Sequence, residues 1–495
     1  MRFLTKKIEE NNADVIISFI YEDFKATSEV FNYLDKISNG ELSKQVYEYK
    51  TIKGSLSEIY KFSIDKDKKA VIVGLGKKGK LTRQKFCQAI ASASRCAKNI
   101  NEAKTIAFEL IENKNECDCS YSNFSKSEAS KMIFTSARIG LYEFNKYISD
   151  KKETIETIEI IDNELNQEIE TGAQIGAYTS FAVKFAKDLI NESAQIVTPK
   201  YIAHLAEEIA KEHKLEAKIY DKTKIKELGM NAFLAVGQGS SNEPKFIHLT
   251  YKPQGASRKK VALIGKGITF DAGGLDIKPA TSMLTMKSDM SGAASVLGII
   301  QAIAKLEPDI ELHVMSALCE NMPSGSSYKQ GDVLTAKNGK TIEVDNTDAE
   351  GRITLADALC YADTLDVDEV IDIATLTGAV IVSLGHNITG VMGNNQKQID
   401  KFIEISKQSA ENTWQMPILE ELKDNLKSDI ADMKNTGGRN AGTSSAAWFL
   451  SNFTKSKSWL HLDIAGTAYL EKTNKETLFG PTGVMIRTLI NYLIS

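Results

Sequence analysis

No run of ~18 apolar residues occurs anywhere in the chain, which excludes a hydropathic membrane-spanning helix. The opening residues Met1 to Glu10 lack the apolar stretch of a secretory leader. The six cysteines are scattered, and only Cys117 and Cys119 are close neighbours. Their spacing fits neither a redox pair nor a zinc pattern, so reduced thiols in a cytoplasmic setting are expected. Paired histidines are also missing. His204, His213, His248, His313, His386 and His461 form no HExxH or comparable motif, so each is expected to be a satisfied or surface side chain. Neither charge sign dominates: 61 basic and 65 acidic residues give a net charge of −4, which argues against a whole-chain electrostatic drive toward nucleic acid and leaves only a local basic patch open. Internal repeats and low-complexity segments are absent too.

What remains is an ordinary soluble composition, 42% hydrophobic and 25% charged, with length for about three domains of ~150 residues, or fewer where a large α/β unit absorbs more. Residues 1 to about 150 alternate strand-like and helix-like runs: Asp14–Ile20 and Lys69–Val73 predict strands, Thr82–Ile100 a helix. Between them, Gly74-Leu75-Gly76-Lys77-Lys78-Gly79-Lys80 satisfies GxGxxG and most of a phosphate-loop pattern. Leu81 stands where a magnesium-holding Ser or Thr belongs, and no acidic residue closes a second strand at dinucleotide spacing. A plain glycine-rich turn explains it better. Composition shifts after Asp150, where strand structure is expected to pass into a long helix ending near Asn191. The domain boundary is placed at 165, giving domains 1–165 and 166–495.

Thr198-Pro199 announces a helix over Tyr201–Lys211, and Ala232–Gly237 leads into Phe246–Tyr251 as another strand. From Val261 the pattern is strand, loop, helix, repeated. Val261–Ile264, Glu311–Leu318, Glu369–Ile373 and Trp459–Ile464 predict core strands, with Ser291–Leu306 and Ile353–Leu365 as helices between them. The fold class is therefore α/β in two domains. The smaller is N-terminal; the larger has a mixed, mainly parallel sheet covered by helices.

Two polar clusters follow apolar runs in the larger domain. One spans Gly265-Lys266-Gly267-Ile268-Thr269-Phe270-Asp271-Ala272-Gly273-Gly274 and continues through Lys278 to Asp289. The other is Asp345-Asn346-Thr347-Asp348-Ala349-Glu350-Gly351-Arg352. Gly and small residues put these charges on tight turns at strand ends, where α/β sheets bind ligands. Several converging carboxylates repel one another unless a cation neutralises them, so hard divalent ions are indicated. Without histidine, such a site tolerates Zn²⁺, Mn²⁺ or Mg²⁺.

At these residues the chain resembles the leucyl aminopeptidase (cytosol aminopeptidase) family of two-metal exopeptidases, over roughly residues 170 to 495. Asn346 to Arg352 match its signature octapeptide except for Ile353 in place of Leu, and Ala272 stands where Ser is common. The resemblance implies that Asp271 and Glu350 bridge two metals, with Asp348 completing one site and Lys266 and Asp289 the other. Lys266 would then ligate as a neutral amine, its pKa lowered by the cations. The resemblance also implies that Lys278 stabilises the oxyanion, and that Arg352, near a helix N-terminus, holds a bicarbonate acting as general base. Met286, Thr375 and Ala465 match positions lining the pocket for the first side chain, suiting Leu-like residues. Peptides with a free N-terminus, a homohexamer, and an N-terminal domain serving assembly or regulation complete what the family implies. A nucleotide-binding protein acting through the Gly74 loop, or a regulatory protein on this scaffold, stay open at this point.

Overall fold

The computed structural model describes every residue except 24–27, 67, 101, 115–121 and 151–153. Cys117 and Cys119 therefore lie outside the described residues; Cys87, Cys96, Cys319 and Cys360 are not joined in disulfides. The chain divides into two compact units. One comprises Met1–Lys184 with the short returns Lys407–Ala410 and Lys472–Phe479, and the other comprises the rest. The chain passes from one unit to the other inside the helix Gln167–Asn191. That helix is 25 residues of continuous hydrogen-bonded backbone, so composition carries no mark of the crossing.

The first unit is built on a six-stranded sheet. Its strands Arg2–Lys6, Thr157–Ile161, Thr105–Glu109, Val15–Ile20 and Lys69–Gly74 lie parallel in that order, and Ile59–Ser63 pairs antiparallel at one edge. The helix Arg83–Lys98 starts after Thr82, whose side chain accepts from Lys85 N. The Gly74 loop is a packing device. A Cβ on Gly74 would stand 2.0 Å from the Ser55 carbonyl oxygen, and a 3-10 turn at Lys78–Lys80, which includes Gly79, lies between Gly76 and the helix. Its backbone N–H groups and the helix N-terminus therefore do not form one phosphate cradle.

The second unit holds a nine-stranded mixed sheet. Ile310–Asn321, Lys259–Gly265, Glu369–Ala374 and Trp459–Asp463 run parallel at its centre. Antiparallel pairing enters only toward the flanks, through Lys245–Tyr251 and Thr389–Gly393. All four central strands are almost wholly buried, consistent with their apolar, β-branched sequences. Being parallel, they deliver Gly265, Asn321, Ala374 and Asp463 to the same edge of the sheet.

Three local expectations change. Ala232–Gly237 lies in a helix, Asn231–Gly237, whose Phe233 N donates to the buried Asp357 carboxylate. Six apolar or small residues cannot by themselves distinguish a buried helix from a strand. Gly267–Asp271 is a further strand rather than a turn, paired with Leu318–Asn321 across a register shift at Ile268/Phe270. The second-cluster helix begins at Glu350, a turn earlier than expected, and ends at Ala362.

Candidate metal centre

Close backbone contact makes the site possible. The helix Ser291–Leu306 butts against the ends of two strands. A Cβ on Gly292 would lie 2.2 Å from Ile373 O and one on Gly265 would lie 2.4 Å from the Gly292 carbonyl carbon. Only glycine at both positions lets the helix start there, and Asp289, two residues before it, then faces Lys266. A Cβ on Gly351 would meet Lys266 Cε at 2.4 Å, so Gly351 leaves room for that side chain across the first turn of the helix Glu350–Ala362.

Lys266 leaves the short link between two strands and is buried. Its Nζ contacts Asp289 Oδ2 at 2.8 Å and Glu350 Oε1 at 2.9 Å, and donates to Thr375 O at 2.9 Å. Lys278 Nζ lies 2.8 Å from Asp271 Oδ2 and 2.5 Å from Asp348 Oδ1. Asp271, Asp348 and Glu350 each present a carboxylate oxygen within 4.8 Å of the others. Thr375 Oγ1 donates to Asp289 Oδ1 at 2.6 Å, which brings one expected pocket residue against an expected ligand. All five expected ligands and Lys278 thus gather in one place.

Electrostatics shows what this cluster lacks. Burial pushes the Asp289, Asp348 and Glu350 carboxyls upward, and the charge of Asp271 adds to this in each case. Burial also works against the Lys266 ammonium, but Asp289, Glu350 and Asp271 override it and hold its pKa above the ordinary lysine value. The lowered pKa expected of Lys266 would need cations beside it; with carboxylates alone the direction is opposite. Lys278 is raised the same way, burial being outweighed by Asp271 and Glu350. Two ammonium groups therefore face four carboxylates, and Glu350 Oε2 is buried with no hydrogen-bond partner among the described residues. A surplus of hard oxygen donors with one orphaned suits divalent cations.

No histidine belongs to the cluster. His248 and His313 bond each other at 3.0 Å, His461 pairs with Asp372, and His386 Nδ1 lies 3.1 Å from Gly466 O.

Arg352 is buried in the first turn of its helix, and burial draws its guanidinium down to about 10, still charged at neutral pH. Its Nη1 donates to Asn435 O at 2.9 Å, while its Nε has no partner among the described residues. A cavity of about 460 Å³ opens here, lined among others by Asp348, Arg352, Leu376, Val382, Met416 and Arg439. Met286 and Ala465, both half-buried, do not line it, nor does Thr375.

Supporting residues escaped the sequence reading. Asn321 Nδ2 donates to Asp271 Oδ1 at 2.9 Å and to Thr347 O at 3.0 Å, joining the two clusters. Asn435 is fully buried; its Oδ1 accepts from Asp345 N at 2.8 Å and its Nδ2 donates to Asn346 O at 2.6 Å. Asp276 accepts from Thr347 N at 2.7 Å. Asn321 ends an apolar strand and Asn435 precedes Thr436-Gly437-Gly438, but neither lies within a recognisable motif.

Residues 184–490 match the model of the cytosol aminopeptidase family's catalytic domain, and residues 17–151 match that of its N-terminal domain. The chain belongs to the cytosol aminopeptidase family. A probable cytosol aminopeptidase of Persephonella marina is 39% identical over 97% of this chain and 96% of its own. One from Nostoc punctiforme is 42% identical over 86% and 85% respectively. Among solved structures, a mutant of tomato leucine aminopeptidase aligns with TM-score 0.87 and 33% identity, covering all of this chain and 96% of that one. The bottromycin maturation enzyme BotP in complex with Mn aligns with TM-score 0.85 and 30% identity, over 97% and 99%. As a member of the cytosol aminopeptidase family the chain is a metal-dependent exopeptidase, a hydrolase acting on peptides. No described helix is long and apolar enough to cross a membrane.

Proposed function

We propose that this member of the cytosol aminopeptidase family removes Leu and similar apolar residues from the free N-terminus of peptides, using two divalent cations per chain, Mn²⁺, Zn²⁺ or Mg²⁺. The observation that carries the reading is the surplus of buried carboxylates around Lys266 and Lys278. Asp271 and Glu350 would bridge the cations, Asp348 would complete one site, and Lys266 with Asp289 the other. Bound there, the cations would act as Lewis acids on the scissile carbonyl and make a water acidic enough to attack near neutral pH.

The chain's own groups supply the rest. Lys266 would give up its proton on loading, since the carboxylates that hold its pKa up would then be engaged elsewhere. Lys278 would be released from Asp271 and Asp348 by the same exchange, leaving a charged donor free for the oxyanion. Arg352 keeps an unused Nε beside a helix N-terminus, which suits a bound bicarbonate as the base that accepts the water's proton. Met286, Thr375 and Ala465 would flank the first side chain. The enzyme would work in the cytoplasm as a homohexamer, with the N-terminal unit, residues 1–165 by sequence, serving assembly or regulation.

The test is hydrolysis of a panel of aminoacyl anilides by chelated protein with single metals restored. Activity should vanish on chelation, return with Mn²⁺ or Zn²⁺, and favour Leu. Full turnover with no bound metal would refute the mechanism.

A further inference from the structure

Asp463 closes the central strand Trp459–Asp463 and is 1% exposed, a costly place for a carboxylate. It is used to gather donors from two loops. Its Oδ1 lies 3.2 Å from Leu376 N, 3.4 Å from Thr377 N and 3.2 Å from Ala465 N, and its Oδ2 accepts from Thr377 Oγ1 at 2.6 Å. Four N–H and O–H groups converge on one acceptor-only side chain, which Ser or Asn could not serve equally.

The two loops are those that follow neighbouring parallel strands, with Ala374 and Asp463 in register. One carries Thr375, which donates to Asp289 and accepts from Lys266; the other carries Ala465. Behind Asp463, on the same face of the strand, stand His461 and Trp459. His461 Nδ1 lies 2.5 Å from Asp372 Oδ1, and Trp459 Nε1 donates to Asp372 Oδ2 at 2.8 Å. Burial opposes charge on His461, but Asp372 and Asp463 hold its pKa above the usual imidazole value. Asp372 thus holds His461 and Trp459 beneath the clamp, and His461 acts on Asp463 through charge alone, its Nε2 having no hydrogen-bond partner among the described residues.

We infer that Asp463 is a positioning residue for substrate selection: by locking the Thr375–Thr377 and Ala465 loops together it fixes the width of the pocket for the substrate's first side chain. The inference rests on the pocket proposed above, which Thr375 and Ala465 would flank; of the residues that Asp463 holds, Leu376 and Thr377 line the cavity beside Arg352.

The experiment compares kcat and KM for Leu- and Ala-anilides on Mn²⁺-loaded protein. Asp463→Ala should keep its metals and lower the Leu-over-Ala ratio of kcat/KM about tenfold, mainly through KM for Leu, because a slackened pocket no longer rewards the larger side chain. Asp463→Asn keeps one oxygen for the loop N–H groups but offers Thr377 no second acceptor, and should lose about threefold of the ratio. If Asp463→Ala does not fold, Asp463→Asn decides alone. An unchanged ratio, an equal loss for both substrates, or loss of metal together with the ratio would overturn the inference. If wild-type protein itself hydrolyses neither substrate or shows no preference, the proposed function fails first and the inference falls with it.

Discussion

Replacing Glu350 with Gln is the most discriminating perturbation, because a ligand and a structural counter-ion predict opposite shifts in stability. In the metal-free chain the ionised carboxylate is a burden. It is buried and stands near Asp271 and Asp289, with Lys266 Nζ 2.9 Å away in partial compensation. Each unit by which its pKa stands above an ordinary carboxyl costs about 1.4 kcal/mol at a pH where the unfolded chain is ionised. Discounted for relaxation, neutralising it should stabilise the stripped protein by roughly 1–3 kcal/mol, a rise in Tm of several degrees. Lys266 is not abandoned in the variant, since Asp289 Oδ2 at 2.8 Å and Thr375 O at 2.9 Å remain. Cations reverse the ranking. A metal at a hundred times its Kd adds about 2.7 kcal/mol to the wild type, and Gln at a bridging position should forfeit most of that. Thermal scans of both proteins, chelated and with Mn²⁺, together with metal analysis, read all four states. The expectation is a crossing: the variant melts higher than wild type when stripped and lower when loaded. A variant that melts lower when stripped yet gains the full metal increment would make Glu350 a partner of Lys266 and not a ligand.

Arg352→Ala should retain both metals yet turn over about 10²–10⁴-fold more slowly if it removes general-base catalysis, and added bicarbonate should stimulate degassed wild type but not the variant. Equal stimulation of both would assign the anion elsewhere. Acid should unfold the second unit through its buried histidine pair: burial draws His248 down to about 3 and lowers His313 as well. With folded values below the unfolded one, their contribution is complete above pH ~6.5 and is lost as pH falls toward 3, by up to about 1.4 kcal/mol per unit per group. Urea titrations between pH 7 and 4 should show a shallower acid slope for His248→Gln, and an unchanged slope would assign the acid sensitivity to other groups. Lastly, light scattering should give six times the 54.5 kDa chain mass in active preparations; a mass near one chain would remove the hexamer.

The sequence by itself determined what is written contiguously. Lys266, Asp271, Asp348, Glu350 and Arg352 sit in two short runs whose glycines, small residues and charges make sense only at strand ends, and the intervening apolar periodicity located the central strands and the helix Ser291–Leu306. Tertiary structure alone decided what depends on strands meeting. Asn321, Asn435 and Asp463 reach the site from the ends of distant segments, each singly and each in a sequence that reads as an ordinary strand end or loop. The passage from one unit to the other lies within an unbroken helix, and the short apolar segment Ala232–Gly237 became a helix through its neighbours, Asp357 among them. The state of Lys266 was equally out of reach. A lysine's proton affinity follows the sum of the charges within a few ångströms of it, and parallel strand pairing together with three close glycine contacts, at Gly265, Gly292 and Gly351, sets which carboxylates those are.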